Sequence, residues 1–237
     1  MKALIFAAGL GERMRPLTDH TPKPLLRVAG VPLIEWHLQR LAALGIRDVV
    51  INTSWLAAQF PEQLGDGSRW NLRLHYLYEG PVPLETGGGM HNALPLLGDA
   101  PFLAINGDIW SDFDFSALQK QPSGNAHLVM VDNPEHHPRG DFILAANGEL
   151  QDEGQVPRLT FAGIGVYRPH LLQNWQAIIG DAAGSDELPP RFKLAPLLRA
   201  AMTSGAVSGQ HHRGRWTDVG TPERLQQLDA QLRATGR

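Results

Sequence analysis

Residues 3–24 open with Ala3-Leu4-Ile5-Phe6-Ala7-Ala8 and run on through Gly9-Leu10-Gly11-Glu12-Arg13-Met14-Arg15-Pro16-Leu17-Thr18 to Thr21-Pro22-Lys23-Pro24. The apolar run is too short, and too soon interrupted by Glu12-Arg13, to be a secretory leader, so it reads as a buried parallel strand. Glycines directly after such a strand let backbone N–H groups turn toward an anion. Arg13, Arg15 and Lys23 add the positive charge that a triphosphate requires, and the prolines stiffen a loop that is otherwise costly to order. Two commoner phosphate loops do not fit. A Walker A loop needs Gly-Lys-Ser/Thr, which does not occur, and a dinucleotide fingerprint needs a third glycine at the position of Met14.

Working outward, apolar strands alternate with helices. Pro32–Leu44 reads as a helix, with proline in its first turn, a face of Leu33, Ile34, Leu38, Leu41 and Leu44, and Gly45 as its stop. Asp48–Thr53, Arg73–Tyr78 and Phe102–Asn106 read as strands, with helices expected over Leu56–Leu64 and Gly89–Leu97. This βαβ alternation predicts an α/β protein with a mainly parallel sheet, which binds ligands beyond the carboxyl ends of its strands. Gly9, Asn106 and Asp108 fall at such ends. In the less regular second half, strands are expected at Ala126–Val131 and Leu159–Tyr167. A helix is expected at Phe192–Thr203, a short strand or loop at Arg215–Val219, and a closing helix at Thr221–Leu232 capped by Thr221. Gly180–Pro190 reads as a surface loop. No repeat or linker divides the chain, so a single domain over 1–237 is expected.

Composition narrows the function. Hydrophobic residues make up 43% of the 237 residues and charged residues 19%, which excludes wholesale disorder. A formal net charge of −3 argues against a nucleic-acid partner, and the absence of cysteine removes thiol chemistry and zinc–thiolate sites. No stretch approaches the roughly 20 apolar residues of a membrane span. A cytoplasmic protein without nucleic-acid or membrane partners is expected.

The opening loop closely resembles the signature of the sugar-1-phosphate nucleotidyltransferases. The resemblance continues through Pro83-Leu84-Glu85-Thr86-Gly87-Gly88, Asn106-Gly107-Asp108, Gly140-Asp141-Phe142 and Trp216-Thr217-Asp218-Val219-Gly220-Thr221. Leu84–Gly89, Val131–Pro134, Arg139–Phe142 and Phe192–Leu198 are most similar to the branch that activates N-acetylmuramate 1-phosphate with UTP. The resemblance implies a Rossmann-like α/β/α sandwich with a mainly parallel, mixed sheet. It also implies a nucleotide-binding part (about 1–125), a sugar-binding part (about 126–220) and a closing helix (221–237).

Site residues follow. The resemblance places Leu10, Gly11, Glu12, Arg13 and Lys23 on the nucleotide, with Arg13 and Lys23 toward its phosphates. Gly87 and Gly88, by themselves a close-approach loop or an anion site at a helix N-terminus, are expected against the base with Glu79 nearby. Asp108, at a strand end, suits Mg²⁺, and the family pattern supplies Asp218 as second ligand; Asp112 and Asp114 are alternatives on a surface turn. The resemblance places Asn106, Gly140, Glu153 and Lys193 on the sugar side, although Glu153 is read equally as part of a solvated run and Lys193 as a helix-surface lysine. Arg139 is the candidate partner of the lactyl carboxylate. His136-His137 and His211-His212 lack metal-ligand spacing and read as solvated positions; Trp36 reads as a core residue and Trp216 as a wall of the site.

The implied reaction is in-line attack of the sugar 1-phosphate on the α-phosphorus of UTP, with pyrophosphate leaving and Arg13, Lys23 and Asp108 as the catalytic set. The alternatives are a mannose-1-phosphate guanylyltransferase or another family member and, in a different class, a sugar-nucleotide-sensing subunit without catalysis. The chain stops soon after its closing helix, without the C-terminal β-helix of some relatives, so a monomer is expected.

Overall fold

Strand β1 (Ala3–Phe6) lies at the centre of the molecule, with Ala3, Leu4 and Ile5 fully buried because both faces of the sheet are covered. The computed structural model describes residues 1–154 and 157–235. After β1 come a short hairpin, β2 (Arg27–Val28) and β3 (Val31–Pro32), then α1 (Leu33–Ala43), β4 (Asp48–Thr53), α2 (Gln59–Leu64) and β5 (Arg73–Tyr78). Helix α3 (Glu85–Leu97) leads to β6 (Phe102–Asn106), β7 (Ile109–Ser111) and β8 (Ala126–Val131). A two-residue pair, β9 (Ile143–Leu144) and β10 (Leu150–Gln151), precedes β11 (Thr160–Tyr167), α4 (Trp175–Ile179) and α5 (Ala195–Met202). The chain ends with β12 (Val207–His212), β13 (Trp216–Asp218) and α6 (Pro222–Ala234).

Seven strands form one sheet in the order β12-β8-β11-β6-β1-β4-β5. All neighbours are parallel except β11, which runs antiparallel to both β6 and β8. The mixed, mainly parallel sheet expected from the sequence is therefore present. Side-chain alternation along β1 sends Ala3 and Ile5 into a core with α1 and Leu4 into one with α3 and α5. A third cluster joins Met14, Val28, Leu33 and Trp110 to Leu225, Leu228 and Leu232 of α6. Strand order reverses at β1, because the chain steps outward through β4 and β5 and then returns to β6 on the opposite side. A crevice opens at such a reversal beyond the carboxyl ends of the strands.

Strands β4, β5, β6 and β8 fall where the sequence predicts. Helix α3 begins four residues earlier than expected, taking the glycines of 87–89 into its body. Helix α5 starts three residues later, since Phe192 is held outside it by contacts with α3. Strand β12 was not anticipated: Val-Ser-Gly-Gln-His-His has no apolar alternation and is a strand because it pairs along the edge of β8. Among the described residues, no helix is long and apolar enough to cross a membrane. Residues 236 and 237 of the expected closing segment lie outside the described residues.

Candidate active site

A cleft of about 350 Å³ lies at the reversal point, lined among others by Gly9, Lys23, Glu79, Glu85, Asn106 and Asp108. Four strand ends contribute to this lining: Gly9 follows β1, Asn52 belongs to β4, Glu79 follows β5, and Asn106 and Asp108 come at and just after β6. Gly107 N–H donates to the carbonyl of Phe6 at 2.9 Å, and a Cβ on Gly107 would lie 2.7 Å from that oxygen. Glycine there lets β1 and β6 end side by side.

Lys23 Nζ donates to Asp108 Oδ2 at 2.5 Å. The lysine side chain is only 11% exposed and the aspartate 37%, so the cation is sheltered while the carboxylate faces the opening. The loop between Gly9 and Lys23 is folded into three single-turn 3₁₀ segments. Its frame is tied by Met14 N–H and Thr18 Oγ1, each donating to the Gly11 carbonyl at 2.8 Å, with Met14 buried in the third core cluster. Gly11 has φ +67°, which a side chain would strain. Among the described residues, the N–H groups of Gly9, Leu10 and Gly11 donate to no protein atom. Glu12 and Arg13 are exposed on the first turn, and Arg15 pairs with Asp19 at 3.4 Å.

The second glycine cluster is arranged differently from the expectation of free N–H groups at a helix start. Gly87 and Gly88 both donate to the carbonyl of Phe192 at 2.9 Å, so these donors are satisfied by protein rather than left for an anion. Phe192 is held by stacking on Trp175 at 4.6 Å between ring centroids. The glycines are needed for closeness: a Cβ on Gly88 would meet the Pro190 carbonyl at 2.3 Å, and one on Gly89 the Glu79 Oε1 at 2.5 Å. Glu79 is buried and braces the cleft wall. Its Oε1 accepts from Asn52 Nδ2 at 2.6 Å, its Oε2 from Leu84 N–H at 2.9 Å, and Asn52 Oδ1 accepts from Ala7 N–H at 2.7 Å. Burial pushes the Glu79 carboxyl up from its ordinary value, against these hydrogen bonds. Glu85 sits at φ +62° on the rim of the cleft. A non-glycine residue pays for that conformation, and such strain concentrates at functional sites.

Asp218 is brought to Asp108 by a small antiparallel pair: β13 aligns Asp218 with Ile109 of β7, and Val219 N–H donates to the Asp108 carbonyl at 2.8 Å. Its Oδ1 receives Arg224 Nη1 at 2.6 Å and lies 2.8 Å from His136 Nε2. His136, expected to be merely solvated, thus touches a candidate metal ligand, and Arg224 is a neighbour the sequence reading missed. No sequence spacing relates residues 136, 218 and 224; only the Thr221-capped start of α6 hints that Arg224 turns back on Asp218. Asp112 pairs with His212 at 2.9 Å and Arg215 at 3.5 Å, and Asp114 caps the turn at Ser116, so both have structural work away from the cleft. Trp216 Nε1 donates to the Ala162 carbonyl at 2.8 Å, while Trp36 is half-buried edge-on to Trp110.

A second cavity of about 180 Å³ shares Phe6, Thr86 and Asn106 with the first. Asn106 reaches it because β11 bulges between Phe161 and Gly165; at Gly163, φ +74°, a Cβ would lie 2.7 Å from Asn106 Nδ2. Of the expected sugar-side residues only Asn106 lines it. Gly140, φ +61°, turns the chain beside Asn133 and Arg158, and Arg139 and Glu153 are exposed. Lys193 lines a separate hollow next to Arg191. Asp141 and Arg199 line the second cavity instead. Asp141 was within reach of sequence, inside the Gly140-Asp141-Phe142 match; nothing in the sequence singled out Arg199.

A loop of unpaired N–H groups, a sheltered lysine and a facing carboxylate at the reversal point of a mainly parallel sheet make a site suited to phosphate groups. The nucleotidyl transferase family model matches residues 2–160, and the chain belongs to that family. It is 48% identical over 236 residues to the N-acetylmuramate alpha-1-phosphate uridylyltransferase of Neisseria meningitidis serogroup B, covering 97% of each chain. The protein of the same name from Caulobacter vibrioides is 32% identical over 97% of this chain and 96% of its own. Among solved structures, HddC from Yersinia pseudotuberculosis shares the fold with a TM-score of 0.76 at 18% identity, covering 98% of this chain and 99% of that one.

Proposed function

We propose that this nucleotidyltransferase moves UMP from UTP to N-acetylmuramate 1-phosphate, giving UDP-N-acetylmuramate and pyrophosphate. The observation that carries the chemistry is the Lys23–Asp108 pair at 2.5 Å in the reversal-point cleft. End-to-end similarity to two uridylyltransferases of that specificity favours this substrate pair over a guanylyltransferase reaction. In this reading residues of about 1–125 form the nucleotide-binding part, which also lends Asn106 to the sugar, and residues of about 126–220 form the sugar-binding part, followed by the closing helix. The reading carries with it a monomer working in the cytoplasm, in recovery of cell-wall peptidoglycan.

The donor set suits Mg²⁺. The Asp108 carbonyl accepts from the N–H of Val219, the residue after Asp218, and the side chains of the two aspartates are 37% and 26% exposed. Among the described residues no group of three or more His, Cys, Asp or Glu forms a closed cage. One or two carboxylates completed by phosphate oxygens and water are what Mg²⁺ takes at phosphate-transfer sites. When bound, the ion supplies charge neutralisation between the nucleotide and sugar phosphates.

The chain's own residues do the rest. An oxygen of the sugar phosphate attacks the α-phosphorus of UTP in line with the leaving pyrophosphate. That nucleophile is already an anion, so the reaction asks for alignment and charge stabilisation rather than a strong base. The N–H groups of Gly9–Gly11 and the Arg13 guanidinium receive the triphosphate. Lys23, released from Asp108 as substrates enter, stabilises charge on the transferring side. Asn106, shared by both cavities, orients the sugar by hydrogen bonding.

UTP, GTP, CTP and dTTP, each paired with N-acetylmuramate, N-acetylglucosamine and mannose 1-phosphates, are to be compared by pyrophosphate release. The expected result is highest kcat/KM for UTP with N-acetylmuramate 1-phosphate, dependent on Mg²⁺ and abolished by Asp108→Asn. Preference for another pair would reassign the substrate. Tight UDP-sugar binding without pyrophosphate release from any pair would make the protein a sensor.

A further inference from the structure

We infer that Arg199 reads the lactyl carboxylate of the sugar, and so sets the preference for N-acetylmuramate over N-acetylglucosamine; this rests on the substrate proposed above. The two sugars differ by one group, a lactyl ether on O3 that ends in a carboxylate. A site that chooses between them needs a cation, and an ionised carboxylate is not held in a largely apolar pocket without one.

The second cavity is such a pocket. Phe142, Phe161, Leu194 and Leu198 form much of its wall, which suits the methyl groups of the acetyl and lactyl substituents. Arg199, on α5, is the only Lys or Arg among its lining residues. Lys23 is in the adjoining cleft, where it serves the transferring phosphates, Arg139 lines neither cavity, and Arg191 and Lys193 line the separate hollow.

The guanidinium is oriented before any ligand arrives. Its Nε lies 3.0 Å from Asp152 Oδ2, and its central carbon is 5.8 Å from the centroid of the Phe142 ring. Among the described residues neither Nη group donates a hydrogen bond. Asp152 therefore occupies one edge and leaves the forked pair of Nη donors, the geometry that matches a carboxylate with two parallel hydrogen bonds. The cavity's own carboxylate, Asp141, is already committed. One oxygen accepts from Phe161 N–H at 2.8 Å and the other lies 3.1 Å from His137 Nε2, leaving lone pairs for a sugar hydroxyl rather than an uncompensated charge.

The test compares dissociation constants of N-acetylmuramate 1-phosphate and N-acetylglucosamine 1-phosphate by calorimetry, for the wild type, Arg199→Met and Arg199→Lys. Methionine keeps an unbranched stem against Phe142, and a thermal melt of each variant checks the fold. The wild type is expected to prefer the muramyl compound by on the order of 10- to 100-fold, the usual worth of a hydrogen-bonded charge. In Arg199→Met the preference should collapse to within about threefold, the loss falling on the muramyl ligand. Arg199→Lys, which keeps charge without the fork, should lie between. A preference that survives Arg199→Met overturns the inference while leaving the substrate intact, as does a parallel loss for both ligands. A wild type that neither binds nor turns over the muramyl compound, yet uses another sugar phosphate, overturns the substrate and this inference together.

Discussion

At the scale of single residues, charge and backbone conformation converge on the mouth of one cleft. Lys23 is sheltered and Asp108 faces outward, so the lysine is held in place by a partner that substrates can displace. Removing a preorganised cation of this kind costs about 100- to 1000-fold in rate. Lys23→Ala is expected to lose that much kcat in a pyrophosphate-release assay with little change in melting temperature, and an unimpaired variant would remove Lys23 from the mechanism. Glu85 holds φ +62° at the rim. A left-handed conformation costs a side chain about 1–2 kcal/mol, part of which glycine returns through its greater unfolded-state entropy. Glu85→Gly should therefore raise stability by about 0.5–1 kcal/mol in urea denaturation; a loss of stability would show that the side chain, rather than strain, dominates there.

Helices and strands act here through what they bury. Helix α1 carries His37, fully enclosed, with Nε2 3.0 Å from the Ile109 carbonyl and, among the described residues, no partner for Nδ1. Burial, with Arg40 nearby, lowers its pKa to about 4. The unfolded chain takes up this proton below about 6.5, while the folded chain resists until about 4. The stability contributed by neutral His37 is whole above pH 6.5 and lost as pH falls toward 4, amounting to about 3 kcal/mol. Denaturation midpoints measured between pH 4 and 7 should fall more steeply for the wild type than for His37→Gln, and parallel curves would rule the histidine out as the acid-sensitive element. Helix α3 shows a second kind of dependence. Its glycines accept the approach of Pro190 and Phe192, so a nominal surface loop becomes the cap of a helix over the cleft.

Across the whole molecule, the third core cluster joins the two ends of the chain. Met14 of the phosphate loop and Leu228 of α6 belong to the same packing unit, and Asp229 Oδ1 accepts from Ala29 N–H at 2.7 Å. The closing helix thus packs against the Gly9–Lys23 loop proposed to receive the triphosphate. Leu228→Ala should cost about 2–5 kcal/mol, the range for a buried leucine, and raise KM for the nucleotide more than KM for the sugar phosphate. Equal effects on the two KM values would mean that the helix stabilises the fold without steadying the loop.

The parallel core strands, the glycine-rich loop from Gly9 to Lys23, Asp108 at a strand end and the Thr221 cap were all legible in the sequence. Those features are written locally, as apolar runs, helical periodicity and turn residues whose meaning does not depend on distant neighbours. Tertiary structure alone decided that β12 is a strand, because an edge strand without apolar alternation exists through its pairing with β8. It also decided that Gly87 and Gly88 spend their N–H groups on a carbonyl more than a hundred residues away, that His136 and Arg224 meet at Asp218, and that Arg199 rather than Arg139 lines the second cavity. Each of these is a contact between segments far apart in the chain, and no local pattern records which distant residue will arrive.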